Sequence, residues 1–145
     1  MDFLNDEQTP KDALWVAHTD DVPLVDLSER DDVTPDVSTR PVDEVLGLTE
    51  VGAKLWYFEP GDEIGYHAHP EEEELYYIVQ GQFSLKLGDP DDPTYETVGP
   101  GTFYAAGPHE PHGHRCVGDE RGVILAVGAP GDASDAVLDP HQMER

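Results

Sequence analysis

The sequence predicts an all-β sandwich or barrel, on three observations. From residue 43 onward, short apolar runs recur at intervals of about ten residues, each bounded by Gly, Pro or Asp. One of them, "QFSLKL" (82–87), alternates strictly, with Phe83, Leu85 and Leu87 on one face and Gln82, Ser84 and Lys86 on the other. That period of two marks a half-buried strand. No segment calls for a continuous helix.

The elements follow in chain order. Residues 1–40 are polar and acidic, broken by Pro10, Pro23 and Pro35, and read as an N-terminal arm, partly irregular, with "VPLVDL" (22–27) a short edge strand. Residues 41–130 form the barrel, and 131–145 a surface tail with room for one helical turn. "AKLWYF" (53–58) runs into the turn signal "EPGD". "LYYIVQ" (75–80) ends at Gly81, and "GDPDDP" (88–93) is a turn. "TYETV" (94–98), "TFYAA" (102–106), "GHRCV" (113–117) and "VILAVG" (123–128) supply the remaining strands. There is no internal repeat and no second domain.

Composition excludes several functions. Thirty-two acidic residues face eight basic ones, a formal net charge of −24 over 145 residues. Such a surface repels phosphate backbones and anionic headgroups, so neither nucleic acid nor a membrane is an expected partner. No run approaches the roughly 18 apolar residues of a membrane helix. The opening "MDFLNDEQTPKD" has no basic and apolar leader pattern, and the single cysteine, Cys116, excludes an internal disulfide. Both fit a cytoplasmic protein.

The acids are scattered along the chain, and Lys11, Lys54 and Lys86 are its only lysines. Self-repulsion of this kind weakens a compact state at low salt. At molar salt the Debye length falls to about 3 Å and the penalty largely vanishes. The composition therefore points to the salt-rich cytoplasm that halophilic archaea maintain; an ordinary acidic protein is the alternative. The melting temperature is expected to rise between low and molar KCl, and a flat response contradicts the halophilic reading.

Chemistry concentrates in two short segments. In "GYHAHPEEEELYYIVQG" (65–81), His67 and His69 share a strand face, because residues i and i+2 do. Their rings can converge on one ion at about 2.0–2.1 Å from each nitrogen. Glu74 shares a face with Tyr76 and Ile78, and Glu72 has the same parity nearer the turn. One carboxylate can point inward while its neighbours stay in solvent. Alone, the four glutamates would read as a solvated charge run. The second segment, "GPHEPHGHRC" (107–116), shifts the balance by adding His109, His112 and His114, so five of the seven histidines lie at two strand–turn junctions.

Together these residues resemble the cupins. The first cupin motif, G-x5-HxH-x4-E-x6-G, is met by Gly61, "DEIGY", His67, Ala68, His69, "PEEE", Glu74, "LYYIVQ" and Gly81. The second, G-x6-P-G-x-P-H-x3-N, is matched by Gly101, Pro108, Pro111 and His112, with His109 where Gly is usual and Cys116 where Asn is usual. The resemblance implies a small single-domain jelly-roll barrel and one divalent transition metal per chain, held by His67, His69, Glu74 and His112. Fe, Mn, Ni, Zn and Cu all suit a mixed nitrogen and oxygen site. Such a site leaves positions open for water or a small polar organic molecule.

His114 has the parity to enter the barrel as a base or proton donor, and Tyr76 is the other candidate catalytic group. Tyr66 and Tyr104 are further cavity phenols, and aromatic filling explains all three tyrosines equally well. Cys116 reads as a buried small hydrophobe or, alternatively, a thiolate ligand. An oxygenase or isomerase, a non-catalytic sensor or carrier, and a protein with a structural metal all remain open. Chelation unfolds only the last of these. Both faces of "LYYIVQ" and "KLWYF" are apolar, so a cover is expected beyond the barrel itself, from the N-terminal arm or from a second subunit in a homodimer.

Overall fold

The computed structural model describes residues 3–9, 15–27 and 37–131. Ten strands are formed among them. In chain order they are β1 (Val25–Asp26), β2 (Ser38–Arg40), β3 (Gly52–Phe58), β4 (Glu63–His67), β5 (Glu73–Gln80), β6 (Gln82–Asp89), β7 (Asp92–Val98), β8 (Phe103–Ala106), β9 (His112–Val117) and β10 (Gly122–Ala129). They build two antiparallel sheets, one ordered β1-β2-β3-β10-β5-β8 and the other β4-β9-β6-β7. This is the jelly-roll arrangement expected of the sequence.

Alternation places the core between the sheets. Phe58, Ile78 and Ile124 project from the six-stranded sheet, Phe83, Leu85 and Cys116 from the four-stranded one, and all are buried. Phe58 and Phe83 meet edge to face, with centroids 5.1 Å apart, a favoured geometry for two ring quadrupoles. Strand β6 alternates as its sequence demands, with Phe83 and Leu85 buried. The "GDPDDP" turn is tighter than its composition suggests. Strands β6 and β7 stay paired through Asp89 and Asp92, leaving Pro90 and Asp91 as the corner.

Gly81 shows why one turn admits only glycine. Its φ is +82°, and a Cβ there would lie 2.8 Å from the Gly122 Cα and 2.9 Å from the Arg121 carbonyl oxygen. Both neighbours are backbone and cannot swing aside. A Gly81→Ala change is expected to cost more than about 1 kcal/mol, read as a lowered denaturation midpoint with unchanged slope.

The N-terminal region departs from the expectation of no helix. A 3-10 turn forms at Thr19–Asp21, capped by the His18 ring, and a five-residue helix, α1, spans Val42–Leu46. One and a half turns are too short to leave a hydrophobic period in the sequence. Helix α1 ends on Gly47 at φ +67°, the left-handed conformation that glycine accepts at a helix end. Its Glu44 carboxylate accepts from the backbone N–H groups of Phe3 and Leu4 at 2.8 and 3.0 Å. Val45 packs with Leu4 and Val22 in a small second core.

The described part of the arm also covers a different surface from the one expected. Phe3 meets Trp56 edge-on at 6.0 Å, and Trp56 pairs with Ile124, which pairs in turn with Ile78. All three face the barrel interior, so Phe3 seals an edge of the core. The outer face of the same sheet keeps Leu75, Val79 and Phe103 exposed, at 45%, 46% and 65%. Strand β1 lies at that sheet's edge, as "VPLVDL" implied. The C-terminal tail beyond Gly131, with His141, lies outside the described residues.

Candidate metal centre

Three strands and the turn after β4 bring the ligating residue types together. Strand β4 delivers His67 at its last position, and His69 follows just past the strand end. Strand β9 opens with His112, paired directly with His67 across the ladder. Strand β5 of the opposite sheet contributes Glu74, on the same face as Tyr76 and Ile78. The His109 backbone N–H donates to the His69 carbonyl at 2.8 Å, tying the two histidine segments together.

The donor atoms converge. One ligand atom from each of His67, His69, Glu74 and His112 lies within 4.8 Å of all the others. Glu74 Oε1 stands 3.0 Å from His69 Nε2 and 3.1 Å from His112 Nε2. The rings of His67 and His112 are 4.4 Å apart, and His67 is 5.1 Å from His69.

The tautomers fit a cation. His67 Nδ1 lies 2.7 Å from the Gly65 carbonyl oxygen, and His112 Nδ1 2.8 Å from that of Glu110. A carbonyl only accepts, so each Nδ1 carries a proton, which leaves Nε2 as the nitrogen that faces the cluster and can hold a metal. The described residues therefore form a set of three imidazoles and one carboxylate that could hold one divalent ion.

Electrostatics agree. Burial, helped by His112, lowers the His67 pKa to about 4, so the ring is neutral and able to ligate. Burial alone would raise the Glu74 carboxyl, but hydrogen bonds with His112 and His69 overcome it and hold the group far below the usual carboxylate range. Glu74 is thus an anion facing the three rings.

The remaining candidates fall into distinct places. Tyr76 is buried, with its hydroxyl 3.0 Å from His112 Nε2, at the edge of the cluster. Burial, reinforced by the Glu74 charge, raises its pKa well above 10, so the phenol keeps its proton. His114 does enter the barrel, but one layer behind. Its Nδ1 bonds to the Tyr104 hydroxyl, and its ring stands edge-on to Phe58 and Tyr76. Burial lowers its pKa to about 3. Tyr104 stacks on Tyr76 at 4.5 Å, linking His114 to the cluster through two phenols.

Tyr66 turns away and donates to the Gly88 carbonyl. His109 is exposed in its turn at φ +66°, the left-handed region that its place in the motif requires. Cys116 is buried, with Sγ directed at the Glu120 carbonyl, and belongs to the core, not to the ligand cluster.

Glu72 changes the picture drawn from the glutamate run. It is not left in solvent: it is buried, with Oε1 3.5 Å from His69 Nε2. Gly128 makes this possible, since a Cβ there would sit 2.7 Å from the Glu72 Cδ. Burial and the neighbouring Glu74 raise its pKa to about 7. Its parity with Glu74 was the signal; the missing side chain on β10 that lets it in was not visible locally.

A pH dependence follows for the chain stripped of metal. His67 and His114 titrate near 4 and 3 when folded but near 6.5 when unfolded. Between about 6.5 and 4.5 the unfolded chain binds two more protons at these sites. Glu72, raised to about 7, binds one more in the folded state. One net proton favours unfolding, so stability is expected to fall on acidification by on the order of 1 kcal/mol per pH unit. Denaturant titrations at stepped pH with chelator present check the slope.

A two-sheet antiparallel barrel with three imidazoles and a carboxylate converging between the sheets defines the metal-site class of small jelly-roll proteins. Residues 54–128 match the Cupin domain family, and the chain belongs to it. Among solved structures, a conserved protein with a double-stranded beta-helix domain from Klebsiella pneumoniae is 26% identical. The match covers 62% of this chain and 75% of that one, with a TM-score of 0.56. A sugar phosphate isomerase from Silicibacter pomeroyi is 25% identical, over 64% and 59% of the two chains, with a TM-score of 0.57. An oxalate oxidase shares the fold at 18% identity, over 74% and 58%, with a TM-score of 0.58. No curated protein matches the chain. Among the described residues no helix is long and apolar enough to cross a membrane.

Proposed function

We propose that this cupin holds one divalent transition metal through His67, His69, Glu74 and His112 and acts on, or binds, a small polar organic molecule at that metal. The supporting observation is the convergence of the four donor atoms, with both Nδ1 protons already committed to carbonyls. Fe, Mn, Ni, Zn and Cu all suit the donor set. The bound ion would act as a Lewis acid toward a carbonyl or hydroxyl, or as a centre for O₂ chemistry.

The chain's own residues supply the rest. The Tyr76 hydroxyl, held protonated by burial beside His112, is placed to give a hydrogen bond or a proton to a molecule at the centre. His114 fixes Tyr104, and Tyr104 stacks against Tyr76 and fixes its ring. An isomerase or oxygenase fits this arrangement; a sensor or carrier uses the same pocket without turnover. Elemental analysis of protein purified in high salt is expected to find close to one transition metal per chain. Removing it should leave a folded protein, whereas unfolding on chelation would assign the metal a structural role.

The same reading places the protein in the cytoplasm of a salt-accumulating halophile, with 1–40 as an arm, 41–130 as the barrel and 131–145 as a tail. It also makes the chain a homodimer. The outer face of the six-stranded sheet carries Leu55, Leu75, Tyr77, Val79, Phe103 and Leu125. Among the described strand residues its charges are Asp26 at the edge, Glu73 and the guanidinium groups over Tyr57, few for a chain so dense with acids. A second copy of this face is the occupant that avoids acid–acid repulsion. Light scattering at molar KCl should give twice the 16.0 kDa chain mass; a monomer contradicts the dimer.

A further inference from the structure

A cavity of about 300 Å³ opens beside His112. Leu87, Ala105 and Pro111 form apolar walls, and Asp89 and Glu110 bring carboxylates to it. Gly107 leaves room for one of these, since a Cβ there would sit 3.0 Å from Glu110 Oε1. Asp89 Oδ1 also accepts from the Asp91 N–H, which fixes that side chain at the rim.

No described basic side chain serves this space. Lys54, inside the barrel, is held by Asp43 at 2.6 Å. Lys86 lies over the rings of Tyr66 and Tyr95. Arg40 donates to the carbonyls of Thr19 and Val22. Arg121 sits over Tyr57, and Arg115 is exposed on β9. Sites that take phosphate or carboxylate ligands rely on guanidinium or ammonium donors. At these walls an incoming anion would meet the acceptors of Asp89 and Glu110, since ionised Asp and Glu have no proton to give, and the Tyr76 hydroxyl at the centre adds a neutral donor without a positive charge. A divalent ion at the centre is already offset by Glu74, and Asp89 and Glu110 outweigh what remains.

We propose that the cavity selects a small uncharged or cationic molecule rich in hydrogen-bond donors, a polyol or amino alcohol, and rejects phosphorylated and carboxylated ones. Its hydroxyl or ammonium hydrogens would donate to Asp89 and Glu110, while its carbon skeleton lies against Leu87, Ala105 and Pro111. The inference rests on the metal reading and narrows it. It also sets this chain apart from the oxalate oxidase and sugar phosphate isomerase that share its fold, whose named substrates are anions.

The test is calorimetric titration of the full chain with 2-aminoethanol, glycerol, glycolate and glycerol 3-phosphate. It is run with and without one equivalent of zinc, in KCl that keeps the protein folded. The expected order puts 2-aminoethanol and glycerol ahead of both anions, with 2-aminoethanol at least about tenfold tighter than glycolate. Combining Asp89→Asn with Glu110→Gln should shrink that preference to within about threefold. Tighter binding of either anion, a preference that survives the double variant, or no binding by any of the four overturns the proposal. The order is read with or without zinc, so failure to take up metal counts against the metal reading alone.

Discussion

A His67→Ala variant is expected to lose its metal. The ring is one of three imidazoles in the cluster and supplies one of its four converging donor atoms. Changes to groups that merely orient a ligand typically cost about 10–100-fold in metal affinity. Removing the ligand itself should cost more than about a hundredfold, enough to leave the purified variant substoichiometric. Its fold should survive, because His67 lies at the end of β4 and outside the main apolar cluster. Equilibrium dialysis with zinc, paired with circular dichroism, separates the two outcomes. Full stoichiometry in a folded variant would mean that His67 is not a ligand.

A Phe83→Ala variant is expected to suffer the largest loss of stability. Phe83 is fully buried on β6, edge-on to Phe58. Its ring also fills the space above Gly122, where a Cβ would come within 2.4 Å of Cζ. The ring and the glycine are complementary, so neither sheet can close the hole without moving backbone. Truncations of this kind cost about 3–5 kcal/mol, against a typical total of about 5–15 kcal/mol. For a chain of this size the melting temperature should fall by roughly 10–20 °C. A loss below about 1 kcal/mol would show that the two sheets do not meet at this ring.

Much of this was legible in the sequence, for a definable reason. Strands with one buried face write their orientation in alternate residues, so "QFSLKL" declared which side chains point inward, whereas "LYYIVQ", apolar on both faces, did not. Spacing put His67 and His69 on one strand face, the cupin resemblance singled out Glu74 and His112, and the geometry brings all four together. What was not legible depends on distant parts of the chain. Helix α1 is too short to carry a period, and its Glu44 reveals its role only through contact with Phe3 and Leu4. Glu72 turns inward because residue 128 on another strand has no side chain. His114 had the right parity, but parity alone did not show that its ring meets Phe58 and Tyr76 edge-on and stays outside the ligand cluster.

Anomalous diffraction from crystals grown with a transition ion tests the central claim most directly. The account predicts a single strong peak lying between the two sheets, at about 2.0–2.2 Å from nitrogens of His67, His69 and His112 and an oxygen of Glu74. A peak elsewhere, or none while these side chains pack against one another with excess ion present, would contradict it.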